Sequence, residues 1–141
     1  MTRNKEIAWS YFELLNDHRI EDALQVLHDE GSFWSLRTRL STPTRQQKDY
    51  IRAVLDDAPM QFTLHNAIED GDQIALEMSS HAEMSDGFVY EQLYCFVISI
   101  RDGKIFELRE YLDTRLAQEL IERCAEASQI RDQLDATVAH R

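Results

Sequence analysis

From residue 61 onward the sequence alternates with period two, and three Asp-Gly pairs punctuate it: Asp70-Gly71, Asp86-Gly87 and Asp102-Gly103. The runs they separate, at 61–68, 73–85, 88–100 and 105–113, are rich in Phe, Ile, Val and Tyr. Glycine reaches the positive φ that tight hairpin turns need, so Asp-Gly between alternating runs predicts a hairpin. Three in series predict an antiparallel meander. Such a sheet curls, and helices elsewhere in the chain must cover one of its faces.

Those helices are legible upstream. Ile7, Tyr11, Leu14 and Leu15 recur at helical spacing, which predicts an amphipathic helix over 4–16 capped by Asn4. Asn16-Asp17-His18-Arg19 breaks it, and a short second helix carries Ile20, Ala23, Leu24 and Leu27 on one face. Asp29-Glu30-Gly31 then turns the chain into a strand from Ser32 to Arg37. Thr42-Pro43 starts a third helix with Tyr50, Ile51, Val54 and Leu55 as its buried stripe, and Pro59 ends it. Past Thr114, Leu116, Leu120, Cys124, Ala127, Ile130 and Leu134 keep a three-to-four spacing, which predicts a C-terminal helix over about 115–136. Glu119 and Arg123 add an i,i+4 pair to it. Helices first and a meander afterwards is an α+β order.

The chain has 141 residues, enough for one domain spanning 1–141 that buries about 68–70% of its unfolded surface. A net charge of −11 argues against nucleic acid, whose phosphates call for clustered Lys and Arg, and against an anionic membrane surface. No stretch reaches the ~18 apolar residues of a membrane span. Met1-Thr2-Arg3-Asn4-Lys5-Glu6 leads into no apolar signal core, so a cytoplasmic location is expected. Cys95 and Cys124 sit in no ligand spacing and read as reduced thiols. The glycines at 31, 71, 87 and 103 are all assigned to turns, leaving no phosphate-cradling loop, and there is no Gly-x-Ser-x-Gly elbow.

Two stretches resemble the nuclear transport factor 2-like superfamily, and within it the SnoaL-like and ketosteroid isomerase-like proteins. The first runs from Tyr11-Phe12-Glu13-Leu14-Leu15 through Ile20-Glu21-Asp22-Ala23-Leu24 to His28-Asp29-Glu30-Gly31-Ser32-Phe33. The second is Asp102-Gly103-Lys104-Ile105-Phe106-Glu107-Leu108-Arg109-Glu110-Tyr111-Leu112-Asp113. The resemblance covers residues 1 to about 116 and implies a cone: a curved antiparallel sheet wrapped by N-terminal helices around an internal pocket, plus a C-terminal helix. The superfold hosts isomerases, cyclases, dehydratases, hydrolases and non-enzymes, so it does not name an activity.

What it implies for single residues is uneven. A catalytic carboxylate on the final strand falls at Glu110, and the oxyanion-donating tyrosine of the first helix falls at Tyr11. The steroid isomerase's general base falls at Ser35, and its second acid near Cys95. The epoxide hydrolase pairs fall at Glu77 with Ser79 and at Phe33 with Ser35. Neither residue set is retained.

Alternation places Glu77, Ser79 and His81 on one face of the third run, and Gln92 and Tyr94 on one face of the fourth. The resemblance turns these faces inward with Leu108 and Glu110, while Phe33, Ser35 and Val54 supply walls. A carboxyl in an apolar pocket is pushed toward the pKa range useful for acid–base work. Glu110 as base, with Tyr11, His81 or Tyr94 donating to a developing oxyanion, would abstract a proton beside a carbonyl without a cofactor. Glu77, His81 and His65 do not have the spacing of a zinc site, and no metal is expected. Glu107, Arg109 and Tyr111 alternate outward, toward a homodimer partner. Glu110 paired to Arg109 or Arg37 is the structural alternative to a catalytic role. Three readings stay open: an isomerase or cyclase acting on a small hydrophobic carbonyl compound, a non-catalytic carrier, and a dimerising module whose pocket has collapsed.

Overall fold

The computed structural model describes residues 1–124. The elements are α1 (Arg3–Asn16), α2 (Ile20–Gln25), β1 (Leu27–Ser35), β2 (Leu40–Pro43), α3 (Thr44–Asp57), β3 (Gln61–Asp70), β4 (Gln73–Glu83), β5 (Val89–Arg101), β6 (Lys104–Leu112) and α4 (Thr114–Arg123). One curved sheet takes the six strands in the order β2-β1-β6-β5-β4-β3.

β3 to β6 form the meander that the Asp-Gly pairs predict, with Gly71, Gly87 and Gly103 at φ 63°, 89° and 72°. β1 then joins the far side of β6 in parallel, setting Phe33 beside Leu108 and Ser35 beside Glu110. That pairing sets the first strand of the chain against the last within one open sheet. Arg39, at φ 59°, lies between β1 and β2 and lets β2 fold back along β1.

Several boundaries differ from the sequence reading. Thr2, not Asn4, caps α1, its Oγ1 accepting from Lys5 N. Leu27 and Gly31 lie inside β1, not on a helix face and in a turn. Gly31 is there because a Cβ would sit 2.1 Å from the carbonyl oxygen of Phe106 on β6. Pro43 closes β2 and immediately precedes α3. The predicted C-terminal helix is seen as α4; its continuation through Ala127, Ile130 and Leu134 lies outside the described residues.

The concave face of the sheet is apolar at its narrow end. Ile74, Leu76 and Met78 of β4, Ile98 of β5, and Ile105 and Leu108 of β6 are fully buried. Ala8, Tyr11, Phe12 and Leu15 of α1 lie across them, and the Phe12 ring meets Phe62 at 5.1 Å and Phe96 at 4.8 Å. Burial of each such side chain contributes about 1.5–3 kcal/mol, so α1 is held mainly by this stripe.

Candidate functional site

Strand register builds the site row by row on the concave face. Ser35, Glu110, Phe96 and Leu76 stand in one row across β1, β6, β5 and β4. Leu112, Tyr94 and Met78 form the next row, and Gln92 with Ser80 the one after. The polar side chains Ser35 and Glu110 enter in the row of Leu76, and Tyr94 in the row of Met78. There they meet a cavity of about 150 Å³ between the sheet and helices α1, α3 and α4.

Of the residues predicted from sequence, Tyr11, Glu110, Ser35 and Tyr94 line this cavity with Phe33, Val54 and Leu108. Ser35 Oγ donates to Glu110 Oε1 at 3.0 Å and accepts from Arg37 N at 3.2 Å. The hydroxyl thus fixes the carboxylate from the neighbouring strand. Burial, reinforced by the Glu110 charge, pushes the Tyr11 phenol well above its ordinary value. It stays a proton donor across the working pH range.

Glu77, Ser79 and His81 do not line the cavity. On β4 the even positions Ile74, Leu76, Met78, Ser80 and Ala82 are buried, and the odd ones face the outer side. The family-based placement was off by one residue, which in a strand exchanges the two faces. His81 is half exposed, 3.3 Å from Glu91 and 3.6 Å from Glu83. Ser79 Oγ meets His65 Nε2 at 2.8 Å, and Glu77 accepts from Asn66. Among the described residues no three His, Cys, Asp or Glu side chains converge on one point.

Gln92 faces inward and is buried, yet it is spent on structure and does not line the cavity. Its Nε2 donates to the Asp113 carbonyl (2.9 Å) and its Oε1 accepts from Asp113 N (3.0 Å). Asp113 in turn caps α4, its carboxylate accepting from Arg115 N and Leu116 N. The amide therefore clamps the residue from which α4 departs.

Sequence reasoning missed Tyr90 and Thr42, placed Tyr50 only on the buried stripe of α3 and named Arg37 only as a cation for Glu110; all four line the cavity. Tyr90 shares parity with Gln92 and Tyr94, so the period-two pattern contained its signal. Arg37 lies beyond β1, and its Nη1 donates to Gln118 Oε1 at 2.7 Å, tying the β1–β2 connection to α4. Arg109 Nε lies 3.7 Å from Glu107 Oε1 on the outer face. Trp34 meets Tyr111 there at 5.2 Å, while Trp9 stacks on Phe12.

A conical α+β shell with a lined cavity defines a nuclear transport factor 2-like protein. The SnoaL-like domain matches residues 9–108, and the chain belongs to that family. Solved structures agree on the fold. TerC, co-crystallised with polyporic acid, superposes with a TM-score of 0.73 at 19% identity, over 86% of this chain and 99% of that one. PrhC from Penicillium brasilianum gives 0.76 at 16% identity over 95% of both chains. A nuclear transport factor 2-like protein of unknown function from Burkholderia pseudomallei gives 0.73 at 15% identity, over 85% of this chain and 98% of that one. At these identities the likeness is one of fold. No curated protein sequence matches the chain closely enough to act as a guide to activity.

Proposed function

We propose that the chain binds a small, mainly apolar carbonyl compound and acts on it by acid–base chemistry, as an isomerase or cyclase. The observation that carries this is the pairing of Glu110 with Tyr11 in one cavity, the carboxylate held at 3.0 Å by Ser35. Glu110 takes a proton from the carbon beside the carbonyl, and the electron pair moves onto the carbonyl oxygen. The Tyr11 hydroxyl donates to that oxygen as charge develops. Return of the proton from Glu110 to a different carbon isomerises the compound; attack of the enolate carbon on a second carbonyl closes a ring. Ser35 stands where the steroid isomerases keep a carboxylate base. A hydroxyl there cannot carry the proton between carbons, so Glu110 performs both transfers.

Native mass spectrometry of protein purified from its own host tests the binding half of this reading. Wild-type protein retains a small organic molecule, and Val54→Trp, which fills the cavity wall, releases it. A wild-type protein that carries nothing and binds no small ketone contradicts the proposal.

A second reading concerns assembly: the outer sheet face joins two copies of the chain. Leu93, in mid-strand on β5, is 72% exposed, and Ile68 on β3 is 57% exposed. Arg109 Nε on the same face is buried without a hydrogen-bond partner. A second copy laid on Glu107, Arg109 and Tyr111 would cover the apolar strand positions and offer that nitrogen an acceptor.

A further inference from the structure

Among the described residues, the cavity lining carries two charged side chains, Glu110 and Arg37. Glu110 is the base of the reaction proposed above, and Arg37 has no part in it. Arg37 stands, half-buried, in the connection from β1 to β2. Its backbone N–H donates to Ser35 Oγ at 3.2 Å, and that hydroxyl donates to Glu110 Oε1 at 3.0 Å. The backbone that carries the cation is therefore two hydrogen bonds from the carboxylate.

What the guanidinium meets is unusual for this chain. Arg19, Arg45, Arg52, Arg109 and Arg123 each lie beside a carboxylate. Arg37 Nη1 instead donates to Gln118 Oε1 on α4, a neutral amide, at 2.7 Å, and no ion pair among the described residues includes it. Gln118 Nε2 donates to Glu122 Oε1 at 3.3 Å, which keeps the amide oxygen turned toward the guanidinium. The cation is thus held in the cavity wall by a contact that leaves its charge unmatched.

A guanidinium carries five N–H donors in a planar fork that fits a carboxylate with two parallel bonds. One donor is spent on Gln118, and the others have no acceptor among the described residues. Glu110 and a net charge of −11 repel a free anion, so an anionic ligand needs such a cation to enter. We propose that Arg37 sets the specificity of this site and that its ligand is a small keto acid. The ketone and apolar body occupy the cavity with Tyr11 and Glu110, and the carboxylate docks on Arg37. This rests on the acid–base reading above and adds to it the charge of the ligand.

Titration calorimetry near neutral pH with beta-benzoylpropionate and its amide, beta-benzoylpropionamide, tests it. The two match in shape and differ in charge. A charge-assisted pair tightens binding roughly 10-fold over its neutral counterpart, so wild-type protein binds the acid that much more tightly than the amide. In Arg37→Gln the acid binds no better than the amide, and binding of the amide shows that the variant is folded. Gln118→Ala, which removes the group that holds the guanidinium, lowers the preference in the same direction and decides where Arg37→Gln does not fold. Equal affinities for acid and amide in wild type, or a preference that survives in the variants, overturn the inference and leave the neutral ketone reading intact. Failure of both probes to bind overturns this inference and the function on which it rests.

Discussion

At the scale of single residues, the proposed acid–base role rests on the pair Glu110 and Ser35. Parallel pairing of β1 with β6 brings the two residues side by side, so the hydroxyl orients a carboxylate that sequence separates from it by 75 positions. Ser35→Ala is expected to lower kcat on a turned-over ketone about 10- to 100-fold through misplacement of the base, with KM little changed. An equal change in both parameters would show that Ser35 only shapes the cavity. Tyr90 makes a pH prediction. Its phenol titrates near 12 in the folded protein against an ordinary 10.0, with burial as the main cause. Above pH 10 the unfolded chain loses this proton while the folded one keeps it, so folding stability is full below pH 10 and falls as pH rises toward 12. Tyr90→Phe is expected to remove about 2 to 3 kcal/mol of that alkaline loss, read from Tm at pH 9 and pH 11.5. Glu110 and Tyr11 were legible in the sequence because motif and helical face agreed on them. His81 was misplaced because alternation states which residues share a face and not which face is inward. The apolar even positions Ile74, Leu76 and Met78 held the missing information.

At the scale of elements, β1 is pressed closely against β6 at Gly31. Gly31 lets the backbone of β1 cross within contact of the Phe106 carbonyl, at the register shift between Leu27 and Ser32. Gly31→Ala must displace backbone and not a flexible side chain. It is expected to destabilise the protein by about 1–3 kcal/mol or more, seen as a lower denaturant midpoint. An unchanged midpoint would mean that β1 and β6 separate easily, and the orientation of Glu110 would lose its basis. The long alternating strands and the amphipathic helices α1 and α3 were readable from their periods. β2 was not: at four residues it is too short to show a period, and it exists through pairing with β1. Gln92 was also opaque, because a glutamine that mimics a strand by clamping both backbone groups of Asp113 looks like any inward polar residue.

At the scale of the whole molecule, the order of elements and the three Asp-Gly turns were sufficient to predict an α+β fold with an antiparallel meander, while the cone and its family came from the resemblance of the stretches 11–33 and 102–113. The cavity's contents depend on which strand closes against which, and pairing across 75 residues leaves no local signal. The outer face is expected to form a homodimer. Size-exclusion chromatography with light scattering would report twice the mass calculated from the sequence, and Leu93→Lys would convert it to monomer. A monomeric wild type would contradict that assembly. The account turns, however, on whether Glu110 moves a proton at carbon. Incubation with acetophenone in D2O, followed by proton NMR of the acetyl group, measures this directly. Wild-type protein is expected to catalyse loss of the acetyl signal by deuterium exchange, and Glu110→Gln to abolish the catalysis while still binding the ketone. Exchange at the same rate in wild type and variant, or no catalysed exchange in wild type that demonstrably binds the ketone, would contradict the acid–base role of this cavity.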